Sequence, residues 1–290
     1  MSVATGAPLV YDVRAGRVVT ETTLVDALAS ARFRLLGEIH DDPEHHVIRA
    51  RLLRELVERN AHPAVVMEQF DLDHDAALRA AQRSHADAEQ IATAGALDRK
   101  GWQWPLHRPI VAQALASHLP IRAGNLSRAA LSGDLDAVLR QHPKLAKRLR
   151  AAKWSDAQAQ TLHDDIVAGH CNMLPDAIVP KLALAQRIRD AAMAQALVDD
   201  ATADGAVLIA GNGHVRDDLG MPVYLHAPGL PSAQMRSISV GFLEASADEM
   251  QQAAFSQALI ERNPGFDYVV VTPAIARPDP CDAFRRAPKG

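Results

Sequence analysis

Aromatic side chains are scarce in this chain: three tyrosines, Tyr11, Tyr224 and Tyr268, and three tryptophans sit among 290 residues. A ligand site built on tyrosine therefore has few positions to use. Cysteine is scarcer still. Cys171 and Cys281 are too few for a disulfide framework, and in a chain of this length they read as two unpaired thiols. No run approaches the roughly 20 apolar residues of a membrane span, and the opening MSVATGAPLV has no charged stretch followed by an apolar one. A soluble, cytoplasmic chain is the expectation. Basic residues are not in excess, 31 against 35 acidic, so nucleic acid is not an expected partner. The G-x-S-x-G elbow of α/β-hydrolases does not occur. GNGH at 211–214 lacks both the dinucleotide glycine spacing and the P-loop lysine. Its Gly211 and Gly213 read instead as room for the backbone beside His214. Without repeats, low-complexity tracts or a Gly/Ser- or Pro-rich linker, 1–290 reads as one domain.

What is present is a globular balance, 48% hydrophobic and 23% charged, with thirteen histidines. Short apolar runs alternate with amphipathic ones. FRLLGE (Phe33–Glu38), AVVMEQF (Ala64–Phe70), PIRAGN (Pro120–Asn125) and AVLIAGN (Ala206–Asn212) are predicted strands separated by helical patterns. Runs without polar alternation are those of strands buried on both faces, so the fold class is α/β, a mostly parallel sheet flanked by helices. PVYLHA (Pro222–Ala227), SISVGFLE (Ser237–Glu244) and DYVVVTP (Asp267–Pro273) are further predicted strands with one helix among them, Ala247–Ile260, so that edge is antiparallel or mixed. Residues 126–200 show no strand signal and read as a helical insertion. The helix after the first strand starts clearly: Asp42 caps it, Pro43 suits its first position and Glu44 its positive end.

Ligands of open α/β sheets bind at the C-terminal ends of parallel strands. Here those ends deliver Glu38 and His40, Glu68, Asn125 and His214, with His45 in the first turn of the next helix facing the same edge. A single strand-end Glu or His is ordinarily a cap or a loop hydrogen bond. Carboxylates arriving on separate strands, if buried, demand compensation by a ligand, a metal or mutual ion pairs. GHCNMLP adds His170, Cys171 and Met173, three iron-ligand types in four residues, whose plain reading is a helix end with two core residues. GWQWPLHRP adds Trp102, Trp104 and His107. Tryptophan offers a flat surface suited to a porphyrin, and otherwise ordinary packing.

LLGEIHDDPEHH, VVMEQFD, WQWPLHRPI, IRAGNLSR, GHCNMLP, IAGNGHVRDDLGMPVYL and the tail DYVVVTP…DPC together resemble the ChaN-like haem-binding proteins, relatives of the erythromycin esterase and Tiki/TraB group. The resemblance runs in order over nearly the whole chain. It implies a parallel-sheet protein with a helical appendage, a homodimer holding haem near the dimer face, a bacterial role in iron or haem handling, and a place at the cell envelope or periplasm. Glu38, His40, Glu68 and His214 match the family's acid and histidine motifs, and Asn125 and Arg128 its N-x-x-R turn. The family's tryptophan segment continues to a tyrosine where this chain has His107, so histidine ligation is expected. On this reading His170, His107 or His214 coordinates haem iron while Arg128 or Arg216 pairs with propionates. The alternative is a hydrolase on the cluster Glu38, His40, Glu68 and His214, in which Glu38 and Glu68 raise the basicity of His40, or hold a divalent metal, and activate water.

Overall fold

The computed structural model describes residues 8–251, 258 and 265–286. Strands β1 (Leu9–Asp12) and β2 (Arg17–Val19) open the chain as a hairpin. Helix α1 (Glu21–Ala29) leads into β3 (Phe33–Leu36), and α2 (Pro43–Glu58) into β4 (Ala64–Asp71). Three helices, α3 (Asp75–Arg83), α4 (Ala88–Ala94) and α5 (Arg108–Ala116), precede β5 (Ile121–Asn125). Five helices follow without an intervening strand: α6 (Arg128–Ser132), α7 (Leu135–Gln141), α8 (Pro143–Ala151), α9 (Asp156–Gly169) and α10 (Val179–Asp199). The chain then runs through β6 (Ala206–Ile209), α11 (Asn212–Val215), α12 (Met221–Leu225), β7 (Ser237–Ala245), α13 (Ala247–Gln251), β8 (Tyr268–Pro273) and α14 (Cys281–Arg286). No helix among the described residues is long and apolar enough to cross a membrane.

The eight strands form one sheet in the order β2-β1-β8-β7-β3-β6-β4-β5. From β8 to β5 every pairing is parallel, and only the hairpin runs antiparallel, at the β8 edge. The α/β sheet read from the sequence is therefore the observed one. Alternate strand residues feed two cores. Leu36, Val65, Met67 and Ile209 pack under α1 to α5, whereas Phe33, Leu35, Val66 and Leu208 pack under α6 to α8, α10 and α12. Burial on both faces explains why these strands lack a polar alternation.

Two expectations change. PVYLHA forms helix α12 rather than a strand: Pro222 sits in its first turn, and Met221, Pro222, Tyr224 and Leu225 are all buried. A short apolar run carries no periodicity that separates a buried helix from a buried strand. Cys171 and Cys281 are not unpaired thiols but form a disulfide across a sequence separation of 110. The helix expected over Ala247–Ile260 starts as α13; residues 252–257, 259 and 260 lie outside the described residues.

Candidate functional site

Strands β3, β6, β4 and β5 lie side by side, so their C-terminal ends set His40 and Glu38, Gly211 and His214, Glu68, and Asn125 along one edge. The structure brings together the strand-end residues singled out from sequence. His40 Nδ1 donates to Glu38 Oε1 at 2.5 Å, and Gly211 N donates to Glu68 Oε2 at 2.9 Å. Asn125 Nδ2 donates to the Glu68 carbonyl at 3.0 Å. A Cβ on Gly211 would fall 2.9 Å from His40 Cε1, so this glycine makes room for His40 rather than for His214. Gly213 has open space around it.

His214 is held between two carboxylates: Nδ1 is 2.6 Å from Asp190 Oδ1 and Nε2 is 3.1 Å from Glu68 Oε1. Burial opposes charging the ring, but the two acids outweigh it and raise the imidazole to about 10. Burial likewise works to raise Glu68, yet His214, His40 and the Gly211 amide hold it below the usual carboxylate range. Asp190 goes the other way, raised by its burial against the pull of His214. His214 is thus an imidazolium at neutral pH, spanning acids from β4 and α10. Asp190 was not legible from sequence; neither were its neighbours Gln186 and Arg189, which reach His214 and Asn125 Oδ1. All three lie on α10, which gave no signal beyond a helical pattern.

On the opposite face of the sheet, Glu38 meets the fully buried Arg49 of α2 in an ion pair. Arg49 Nη2 donates to His46 Nδ1 at 2.7 Å, while His46 Nε2 donates to the His40 carbonyl at 2.9 Å. Ligand-type atoms of Glu38, His46 and His107 lie within 4.8 Å of one another, the spacing of a metal site. The cation already there is Arg49, whose guanidinium neutralises Glu38 and occupies the His46 acceptor. His45 is buried too: its Nδ1 accepts from Ile39 N at 3.1 Å and its Nε2 bonds Thr272 Oγ1 at 2.9 Å. It fixes the loop that carries His40.

Burial lowers both His45 and His46 to about 4. The unfolded chain takes up these protons near pH 6.5, the folded chain only near 4, so stability falls as pH drops through that window. Each neutral ring is worth on the order of 3 kcal/mol. His214 acts oppositely, contributing fully below pH 6.5 and losing its contribution as pH rises through about 10. Thermal melts across pH 4–9 are expected to peak near neutrality. A flat profile between pH 6.5 and 4.5 would show that these rings are not held neutral.

A family described as "Haem-binding uptake, Tiki superfamily, ChaN" matches residues 24–225. The chain belongs to the ChaN family. Its fold is similar to that of ChaN of Campylobacter jejuni, a structure described as showing cofacial haem binding, at 20% identity over 91% of this chain and 96% of that one, with a TM-score of 0.68. The erythromycin esterase EreC is also similar, at 14% identity over 93% and 98% of the two chains, with a TM-score of 0.48. No curated protein matches the sequence.

In this ChaN-family chain the other predicted residues are scattered. Trp102, half-buried, sets its ring edge-on to His40 with centroids 5.0 Å apart, and it also touches His107. His107 is fully buried behind it. Trp104 is buried and spends its indole N–H on Glu89 Oε1 at 2.7 Å. His170 ends α9, half-buried, beside the exposed Met173. Cys171 is corrected as an iron ligand, because its sulfur is bonded to Cys281 and offers no thiolate. Arg216 is bonded to Asp165 and Asp218, whereas Arg128 is exposed in the first turn of α6.

Proposed function

We propose that this protein binds haem in the slot between α9 and α10, with His170 as the axial ligand, as part of haem or iron uptake. The observation that carries this reading is the hydrogen bond from His170 Nδ1–H to the Ile166 carbonyl at 2.7 Å. It orients the ring from its Nδ1 side, as a backbone carbonyl does for a metal-binding imidazole. Of the other candidate imidazoles, His107 is fully buried, and both nitrogens of His214 face carboxylates.

The slot has a mixed lining, with Asp165, Gln186 and Asp190 on its polar side. Leu162, Ile166 and Leu219 supply apolar wall and Arg216 lies at its rim, around a volume of about 200 Å³. Pockets that enclose a drug-sized ligand measure roughly 300–1,000 Å³, so a porphyrin here keeps one face outside. Met173 and Ile178, 45% and 42% exposed, lie in the same α9–α10 region. A second subunit covering that outer face is the dimer this reading requires. The disulfide favours the cell envelope or periplasm over the cytoplasm. A hydrolase on the strand-end cluster is less favoured, since the matching family is described by haem binding, and its base would have to be His40 because His214 is held as a cation at neutral pH.

Titration with hemin is expected to give a shifted Soret band saturating at a whole-number ratio per chain, with the dimer fraction in sedimentation rising alongside. No spectral change at micromolar hemin sinks the proposal. Saturable binding by a persistent monomer sinks its dimer face.

A further inference from the structure

The segment 274–280 leaves the end of β8 and reaches Cys281 without secondary structure. Beyond the backbone bond from Ala274 N to Ala245 O at its start, it is tied at two points only a few residues apart. Midway, Arg277 donates to both oxygens of Glu244, at the end of β7, and its Nε donates to Asp41 Oδ2 at 2.9 Å, in the turn directly after His40. At its end, Cys281 is bonded to Cys171, the residue after His170. The segment is therefore a strap that runs from the β8 and β7 ends, past the His40 turn, to the end of α9. The backbone it grips there is unusual: Cys171 and Asn172 have φ of 61° and 55°, two consecutive non-glycine residues in the left-handed region. Such residues persist where the surroundings over-determine them, and the disulfide is a covalent part of those surroundings. Both sulfurs belong to half-buried residues rather than to the core.

We propose that the Cys171–Cys281 bond is a redox latch: oxidised, it clamps the strap onto the turn that presents His170; reduced, it frees the strap and loosens the haem slot. This rests on the reading of the α9–α10 slot as the haem site. A dithiol of the thioredoxin class attacks one sulfur, a mixed disulfide forms, and its second thiol resolves it. The latch gains two electrons and two protons as two thiols, while the donor's own sulfurs pair. The Arg277 pairs with Glu244 and Asp41 then hold the near half of the strap, while its far end, next to His170, loses its covalent tie. The physical consequence is faster release of the porphyrin from a reducing environment and retention in an oxidising one.

The test compares wild type, wild type reduced by a phosphine, and Cys281→Ser, each loaded with hemin and, in parallel, with gallium protoporphyrin, whose metal the phosphine does not reduce. Release to an excess of a haem scavenger is followed by absorbance, and thermolysin cleavage at the Ala274–Ile275 bond reports the strap independently of any ligand. Reduced wild type and Cys281→Ser are expected to release both porphyrins at least about tenfold faster than the oxidised protein, to be cut faster at Ala274–Ile275, and Cys281→Ser is expected to ignore the phosphine. Equal release rates from oxidised and reduced protein overturn the latch and leave the haem site standing. Absence of a Soret shift in the oxidised protein overturns the haem site itself, and the latch with it.

Discussion

Replacing Arg49 by methionine is expected to cost about 3–5 kcal/mol of stability, the penalty for stranding one member of a buried ion pair. Glu38 would then sit in the interior facing neutral His46 and the fully buried His107, with only His40 left as a charge-capable neighbour. Methionine keeps the length and much of the volume of the arginine stem, so the loss reports charge rather than a cavity. At a few degrees per kcal/mol for a chain of this size, the melting temperature should drop by about 10 °C. The double variant Glu38→Gln, Arg49→Met removes both charges and should recover most of that loss. Glu38→Gln alone is expected to be damaging as well, because it leaves the guanidinium buried and unpaired. If Arg49→Met melts within about 2 °C of wild type, the pair does not carry the energy its burial implies, and a metal or water replacing the guanidinium becomes the better account of the cluster.

How much of this was legible in the sequence follows from which residues carry local signals. Glu38, His40, Glu68, Asn125 and His214 could be found because strand ends are marked by apolar runs breaking into polar residues, and the parallel sheet puts such ends on one edge. Asp42 and Pro43 marked the start of α2, and Asp42 does cap it, accepting from Glu44 N and His45 N. What escaped was contributed across layers. Arg49 sits one turn after His45 on a helix whose buried stripe of Leu52, Leu53 and Leu56 is apolar, and nothing local says that an arginine on that helix is fully buried. Asp190 follows Arg189 within the helical pattern of α10 and meets His214 from 24 residues away. The Cys171–Cys281 bond closes over 110 residues, and two cysteines at that spacing carry no pattern. The β1–β2 hairpin, with strands of four and three residues, was too short to stand out.

His170→Ala is expected to shift the ferric spectrum of the hemin complex and weaken binding by at least about tenfold, or 1.4 kcal/mol. The ring is half-buried at the end of α9 and belongs neither to the two apolar cores nor to the strand-end ion pairs. Two companions make the result specific to the slot. Glu68→Gln removes the charge that His214 Nε2 faces at 3.1 Å while keeping the side-chain shape, and the spectrum should stay unchanged. His40→Ala removes the imidazole whose side chain is 49% exposed at the strand ends, beside Trp102. If haem instead occupied the strand-end edge, with Trp102 against the porphyrin, His40→Ala would change the Soret band and His170→Ala would not. The two variants therefore exchange roles between the two placements. Equal insensitivity of both would exclude His170 and His40 alike as the axial ligand, and the exposed Met173 would be the next side chain to replace.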